Sequence, residues 1–206
     1  MASSSFLWDT CVLYRFLNGE PEEWLDHIEA HLSDVQSGKS DIFVSTTILA
    51  EIRPSKVFKP GQTPLQIVQA VSAAFKYIPP SPDIMSLAGH LRDQEYTYIN
   101  GPEDKASTRE LSLGDAIHLA TGIALQEEFG VQNLTVHSFD EGKTKDGQIG
   151  KKTVPMVGFH NWCRNNKNDE EIQRVLSLKI TKPEHPSCKL PKTNPKPTSS
   201  AKPPAS

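Results

Sequence analysis

The stretch FLWDTCVLYRFL, residues 6–17, decides the fold class. A short apolar run ends at the acid Asp9, and a helical pattern begins at once. The apolar residues after Asp9 have the i, i+1, i+4, i+5 spacing of an amphipathic helix: Val12, Leu13, Phe16 and Leu17. This order predicts a buried strand, an aspartate at its carboxyl end, and a helix directly after it. Such a unit is typical of α/β proteins.

Strands and helices alternate along the rest of the chain. Further strands are predicted at residues 42–44, 77–78, 134–136 and 154–159. Helices are predicted at residues 21–36, 48–53, 63–75 and 113–129, and from residue 82. Residues 166–180 fit either a helix or a strand. The alternation predicts an α/β fold with three layers, α/β/α, around a mostly parallel central sheet of four to five strands.

The composition changes toward the C-terminus. Residues 181–206 contain seven of the 16 prolines, five lysines and one acid, a composition that cannot bury a core. We therefore expect one domain at residues 1–163, a C-terminal extension at 164–180 and a disordered tail at 181–206. Because the tail carries +4 of a total charge of −3, residues 1–180 carry −7. That argues against coating nucleic acid by charge alone.

The bulk sequence also indicates a compartment. No apolar run approaches the length of a membrane span, and Asp9 and Arg15 interrupt the N-terminal apolar stretch, so neither a membrane segment nor a signal peptide is predicted. The three cysteines are far apart and form no CxxC pair. This usage favours a reducing, cytoplasmic location without disulfides.

Four acids occupy comparable places relative to the predicted elements. Asp9 ends the first strand, Asp140 follows the fourth, Glu51 lies on the short helix after the second, and Asp115 opens the helix at 113–129. Because the carboxyl ends of parallel strands meet at one rim, we expect these side chains to converge. Three have other readings: Asp9 as a helix N-cap, Asp115 as part of a capping box, and Asp140 as a turn residue.

Carboxylates crowded together repel each other, and a hard divalent cation removes that conflict. Carboxylate and water oxygens suit Mg²⁺ or Mn²⁺. Such an ion can activate water and stabilise charge on a phosphodiester. The four acids therefore point to metal-dependent phosphodiester hydrolysis, and no nucleotide-binding glycine motif is present.

Four segments resemble, in order, the motifs of PIN-domain nucleases, and most of all the VapC-like toxins of bacterial toxin–antitoxin pairs. They are residues 6–13, 45–52, 111–121 and 137–140, and the similarity spans about residues 5–160. The resemblance implies a PIN-like fold and a Mg²⁺- or Mn²⁺-dependent endoribonuclease, the toxin of a type II pair. Two alternatives stay open: a PIN-like RNA- or protein-binding module without nuclease activity, and a PIN ribonuclease with no antitoxin.

The resemblance also assigns roles to residues. Asp9, Glu51 and Asp115 would bind the metal directly, and Asp140 would be a weaker or outer ligand. Thr10 and Ser45 would donate hydrogen bonds to the ligands, although residues of this kind are more often simply capping or turn residues. The implied partners are RNA, an antitoxin protein and, since family members often dimerise, a second copy of the chain.

Basic and histidine residues complete the set of candidates. Arg53 and Lys56 follow Glu51, and Lys143 and Lys145 follow Asp140. These two clusters either grip RNA phosphates or belong to solubilising loops. The HIEAH run at residues 27–31 is predicted to be a solvated helix face and not a zinc site. His118 is predicted to be a partly buried packing residue and a lesser candidate for contact with substrate.

Overall fold

The computed structural model describes residues 4–19, 22–57, 61–99, 108–142 and 153–189. Its strands are β1 (Ser4–Trp8), β2 (Ser40–Ser45), β3 (Lys76–Ile78), β4 (Leu134–His137) and β5 (Lys179–Thr181). They form one sheet in the order β3-β2-β1-β4-β5, and every neighbouring pair is parallel. The predicted α/β fold with a parallel central sheet is confirmed.

Helices connect the strands and cover both faces of the sheet. They are α1 (Thr10–Asn18), α2 (Leu25–Gln36), α3 (Ile48–Glu51), α4 (Pro64–Val71), α5 (Pro82–Arg92), α6 (Leu113–Glu127) and α7 (Glu170–Leu176). Side-chain caps define several starts: the hydroxyls of Thr63, Ser81 and Ser112 each accept the backbone N–H three residues on. Within the described residues, no helix combines the length and apolar character that a bilayer crossing requires.

The core is divided by the sheet. Leu7 belongs to a cluster with α5, α6 and α7, whereas its neighbour Trp8 belongs to a cluster with α1 and α2. Consecutive strand residues point to opposite faces, so one apolar run can serve both layers. Burial on both sides explains the continuous apolar runs of β1 and β2, residues 6–8 and 42–44.

The C-terminal part belongs to the domain more fully than its composition suggests. The two patterns in residues 166–180 occur in series, as α7 and then β5, whose Lys179 and Ile180 pair with Thr135 and Val136 of β4. The segment expected to be an extension therefore completes the sheet. The described structure continues through residue 189, inside the predicted tail, where His27 and His31 of α2 form hydrogen bonds with backbone carbonyls of that segment. Residues 190–206 lie outside the described part of the chain.

Two local predictions are wrong. Residues 154–159 form no strand: Gly158 has a positive φ of 84°, and a 3₁₀ helix follows at Phe159–Trp162. Their apolar side chains are buried in irregular backbone, which periodicity cannot distinguish from a strand. His27 and His31 do not lie on a solvated helix face either, since each is only 1% exposed. The segment 184–189 covers them.

Candidate metal centre

The four acids line one cavity of about 580 Å³ at the carboxyl ends of β1, β2 and β4. Asp9, Glu51, Asp115 and Asp140 reach it from four separate segments, and Arg53 and Lys56 line it as well. This arrangement follows from topology, because parallel strands deliver the residues after them to the same edge of the sheet.

Asp9 follows β1 directly and is 5% exposed. It stands at the N-cap position of α1, but its side chain makes no capping hydrogen bond. Its Oδ2 instead accepts hydrogen bonds from Ser138 Oγ and Cys11 Sγ, both at 2.7 Å. Its Oδ1 lies 3.6 Å from Nε2 of His118. The carboxylate is therefore held by Cys11 of α1 and by Ser138, which follows β4, so Asp9 occupies the N-cap position without capping the helix through its side chain.

Glu51 ends α3, and neighbours fix both its backbone and its side chain. The Tyr14 hydroxyl donates to the Glu51 carbonyl at 2.9 Å and accepts from the Arg53 N–H at 2.6 Å. Thr10 Oγ1 donates to Oε2 of Glu51, and His118 Nε2 lies 3.4 Å from the same oxygen. Burial raises the pKa of Glu51, but the hydrogen bond and charge of His118 outweigh it and leave the pKa below its usual value.

Asp115 combines a capping contact with a place on the cavity wall. Ser112 Oγ accepts its N–H at 3.1 Å and donates to its Oδ2 at 2.6 Å, so the helix-capping alternative is also present. Burial, and then repulsion from Asp9 and Asp140, raise the pKa of Asp115 to about 7 despite the hydrogen bond from Ser112.

Asp140 lies in a turn that also faces the cavity. Its Oδ1 accepts the Gly142 N–H at 3.2 Å, which is the turn contact that its sequence predicts. Its own N–H donates to Ser138 Oγ at 3.0 Å. Ser138 therefore joins the two ends of the site, since the same hydroxyl donates to Asp9.

The sequence predicts His118 to be a packing residue, but its ring lies against two of the acids. It is fully buried on α6, and its Nε2 faces both Glu51 and Asp9. Burial opposes protonation of the ring, but the hydrogen bond to Glu51 and the negative charges of Asp9, Glu51 and Asp115 raise its pKa. The spacing contained the signal, because a residue three positions after Asp115 shares its helix face.

The other predicted residues divide into three groups. Thr10 contacts Glu51, as described, whereas the Ser45 hydroxyl donates to Thr47 Oγ1 at 3.0 Å. Arg53 and Lys56 line the cavity, which places positive charge beside the acids. Lys143 and Lys145 lie outside the described residues. Sequence reasoning gave no role in the site to Cys11, Tyr14 and Ser138, although Cys11 and Ser138 lie within two of the four similar segments. Their contacts depend on the packing of separate parts of the chain.

The donor set fits a divalent cation. One atom each of Asp9, Glu51 and His118 can be chosen so that all lie within 4.8 Å of one another. Carboxylate oxygens and imidazole nitrogen are common ligands of divalent metals.

Comparison with known proteins gives limited further information. No protein-family model matches the chain, and neither does any curated protein sequence. Seven chains of solved structures match it. One is the crystal structure of VapC20 from Mycobacterium tuberculosis, described as a toxin that cleaves the sarcin–ricin loop. The match covers 66% of this chain and 90% of that chain at 16% identity, with a TM-score of 0.43. Functional assignment therefore depends on the residues of the cavity.

Proposed function

We propose that this protein is a metal-dependent endoribonuclease of the PIN type that hydrolyses RNA phosphodiester bonds. One observation carries the proposal: acids from four separate segments line a single cavity at the carboxyl edge of a parallel sheet. Burying Asp115 beside Asp9 and Asp140 costs free energy, because burial and then repulsion between the carboxylates raise its pKa. A fold that accepts this cost at one place, beside a buried imidazole, is suited to binding a cation.

Asp9, Glu51 and Asp115 hold the ion in this proposal, with Asp140 as a weaker ligand, and the ion is Mg²⁺ or Mn²⁺. When bound, such a cation stabilises negative charge on a phosphodiester and lowers the pKa of water. The residues around the acids position them. Ser138 and Cys11 bind Oδ2 of Asp9, and Thr10 binds Oε2 of Glu51.

Substrate binding is assigned to the basic residues at the rim. Arg53 and Lys56 line the cavity next to Glu51, so each can contact a phosphate while the acids face the scissile bond. Lys143 and Lys145 follow Asp140 in sequence and have the same proposed role. The net charge of −7 on residues 1–180 makes these local cations necessary for a polyanionic substrate.

The biological role that we propose is that of a cytoplasmic toxin controlled by a small antitoxin protein. It rests on the similarity of the four segments, in order, to VapC-like toxins. Co-purification of the chain with the product of an adjacent short reading frame, and loss of cleavage in that complex, would support the role. A chain that cleaves RNA equally well in the presence of that product would instead be a ribonuclease without an antitoxin.

The nuclease activity itself is tested with purified protein and labelled RNA. We expect cleavage with Mg²⁺ or Mn²⁺, none with EDTA, and a loss of at least about 100-fold in Asp9→Asn. Asp41→Asn is the matched control, because Asp41 pairs with Lys76 on β2 and β3, away from the cavity. RNA binding without metal-dependent cleavage by the unmodified protein would reject the proposal and favour a binding module.

A further inference from the structure

The side chain of His118 is enclosed by protein but poorly paired. Its three polar contacts are all long: Nε2 lies 3.4 Å from Thr10 Oγ1, 3.4 Å from Glu51 Oε2 and 3.6 Å from Asp9 Oδ1. Its Nδ1 is buried and has no hydrogen-bond partner among the described residues. An imidazole removed so completely from water normally makes at least one good hydrogen bond. Nε2, the ring nitrogen that faces the acids, therefore makes only long contacts with Glu51 and Asp9, and nothing on the Nδ1 side holds the ring.

The geometry around Nε2 is that of ligands gathered around one ion. Two ligands that are each about 2.1 Å from a common metal lie about 3.0–3.4 Å apart for right-angle to tetrahedral arrangements. The separations from Nε2 to Glu51 and Asp9, 3.4 and 3.6 Å, are close to that range. In the described part of the chain, Asp9, Glu51 and His118 form the one such group of histidine, cysteine and acidic residues.

We propose that Nε2 of His118 is a direct ligand of the cation held by Asp9 and Glu51, and that it selects a first-row transition metal over Mg²⁺. The inference rests on the metal centre of the proposed function but not on RNA as its substrate. Mg²⁺ prefers oxygen ligands and keeps several waters, whereas imidazole nitrogen binds transition metals with affinities that rise along the Irving–Williams series. The site thus takes Mn²⁺ or a heavier divalent ion of that row.

A competing arrangement uses the same contacts. A protonated His118 could neutralise Asp9 and Glu51 by itself, as an imidazolium between two carboxylates. In that case the cation would bind to oxygen atoms alone, farther out in the cavity, and Nε2 would never contact it. The two arrangements differ in the identity of the atoms bonded to the metal, which spectroscopy reads directly.

The deciding experiment is pulsed electron paramagnetic resonance on the whole chain loaded with Mn²⁺. A nitrogen bonded to Mn²⁺ modulates the spin echo, so we expect ¹⁴N modulation from the unmodified protein and none from His118→Gln. Calorimetric titration should show Mn²⁺ affinity falling at least about 10–100-fold in His118→Gln, with a much smaller change for Mg²⁺. His90→Gln, which changes a half-exposed histidine on α5 paired with Asp169, should leave both measurements unaltered.

The outcomes separate this inference from the proposed function. Bound Mn²⁺ without ¹⁴N modulation in the unmodified protein overturns the role of His118, and metal-dependent RNA cleavage by the same sample leaves the nuclease proposal intact. Failure to bind either ion overturns both. If His118→Gln does not fold, the spectrum of the unmodified protein still decides, because it reports the ligand atoms without any variant.

Discussion

The α-carbon of Gly114 faces the carboxylate of Glu51, and a methyl group at residue 114 would overlap Oε1. Gly114 is not among the glycines with positive φ, so space and not backbone conformation requires the glycine here. The start of α6 therefore leaves room for the acid that α3 delivers. This contact couples two segments that are more than sixty residues apart in sequence.

Replacing Gly114 with alanine should weaken metal binding without unfolding the protein. The new methyl group displaces the end of a flexible side chain, so Glu51 can rotate away at little cost to stability but loses its position. Affinity for Mn²⁺, measured by titration calorimetry, should fall roughly 10–100-fold. Gly89→Ala is the matched control, since nothing lies within 4 Å of a side chain there and α5 should gain helix propensity. Equal affinities in both variants would contradict the role of Gly114.

Asp115 should make the metal-free protein less stable as pH rises. Its pKa is about 7 in the fold and near 3.8 in the unfolded chain. The fold thus favours the protonated acid: this contribution is fully present below pH 3.8 and is lost as pH rises through 7. At pH 8 in EDTA, Asp115→Asn should unfold at a higher urea concentration than the unmodified protein. Its unfolding free energy should be higher by a few kcal/mol at most, since one pKa unit corresponds to about 1.4 kcal/mol. A difference in unfolding free energy between the two proteins that does not change with pH would contradict an origin in the pKa of Asp115.

Removing the hydroxyl of Tyr14 should loosen the end of α3. Tyr14→Phe leaves the Glu51 carbonyl and the Arg53 N–H without this partner, which should cost about 1 kcal/mol of unfolding free energy. RNA cleavage should fall as well, because Glu51 is less well positioned. Tyr77→Phe is the control: the Tyr77 hydroxyl is buried and finds no hydrogen-bond partner among the described residues, so its removal should be neutral or stabilising.

Neutralising Arg53 and Lys56 together should weaken RNA binding and change its salt dependence. Each phosphate contact to single-stranded RNA contributes about 0.7 to the slope of log affinity against log salt, so the double glutamine variant should lose about 1.4. Fluorescence anisotropy at several salt concentrations measures this slope. Lys39→Gln serves as the control because Lys39 is paired with Asp34 at a distant surface. An unchanged slope in the double variant would remove both residues from the RNA site.

His31 should make the fold sensitive to acid. Its pKa falls from 6.5 to about 4 because burial, and then the nearby His185, disfavour the charged ring. The folded state therefore favours neutral His31. Its contribution to the unfolding free energy is fully present above pH 6.5 and is lost as pH falls toward 4. Urea unfolding should show a loss on the order of 2–3 kcal/mol over that interval. This loss should be smaller in His31→Gln. His160→Gln is the control: because His160 is exposed, that variant should lose as much stability as the unmodified protein.

Much of this architecture follows from the sequence because it is encoded locally. Apolar periodicity and caps predict the first four strands and the helices between them, and the rule on strand ends predicts where Asp9 and Asp140 meet. Asp115 caps its helix and Asp140 forms its turn, while both also face the cavity. A residue can satisfy a local rule and serve a distant site at once.

What the sequence did not predict depends on contacts between distant segments. His118 was expected to be a packing residue, because nothing near it in the chain shows that Glu51 would arrive beside its ring. The buried state of His27 and His31 depends on residues about 160 positions later, and a helical pattern alone cannot distinguish such a cover from solvent. The supposed strand at 154–159 failed for the related reason that irregular backbone can also bury apolar side chains.

The place of β5 at the edge of the sheet has a consequence for synthesis on the ribosome. The acids are all encoded by residue 140, yet β4 pairs with its outer neighbour only after residues 179–181 have left the exit tunnel. Until then β4 presents an open strand edge, the kind of surface most prone to pair with another chain. Pairing with β5 thus protects this edge of the nascent sheet from aggregation.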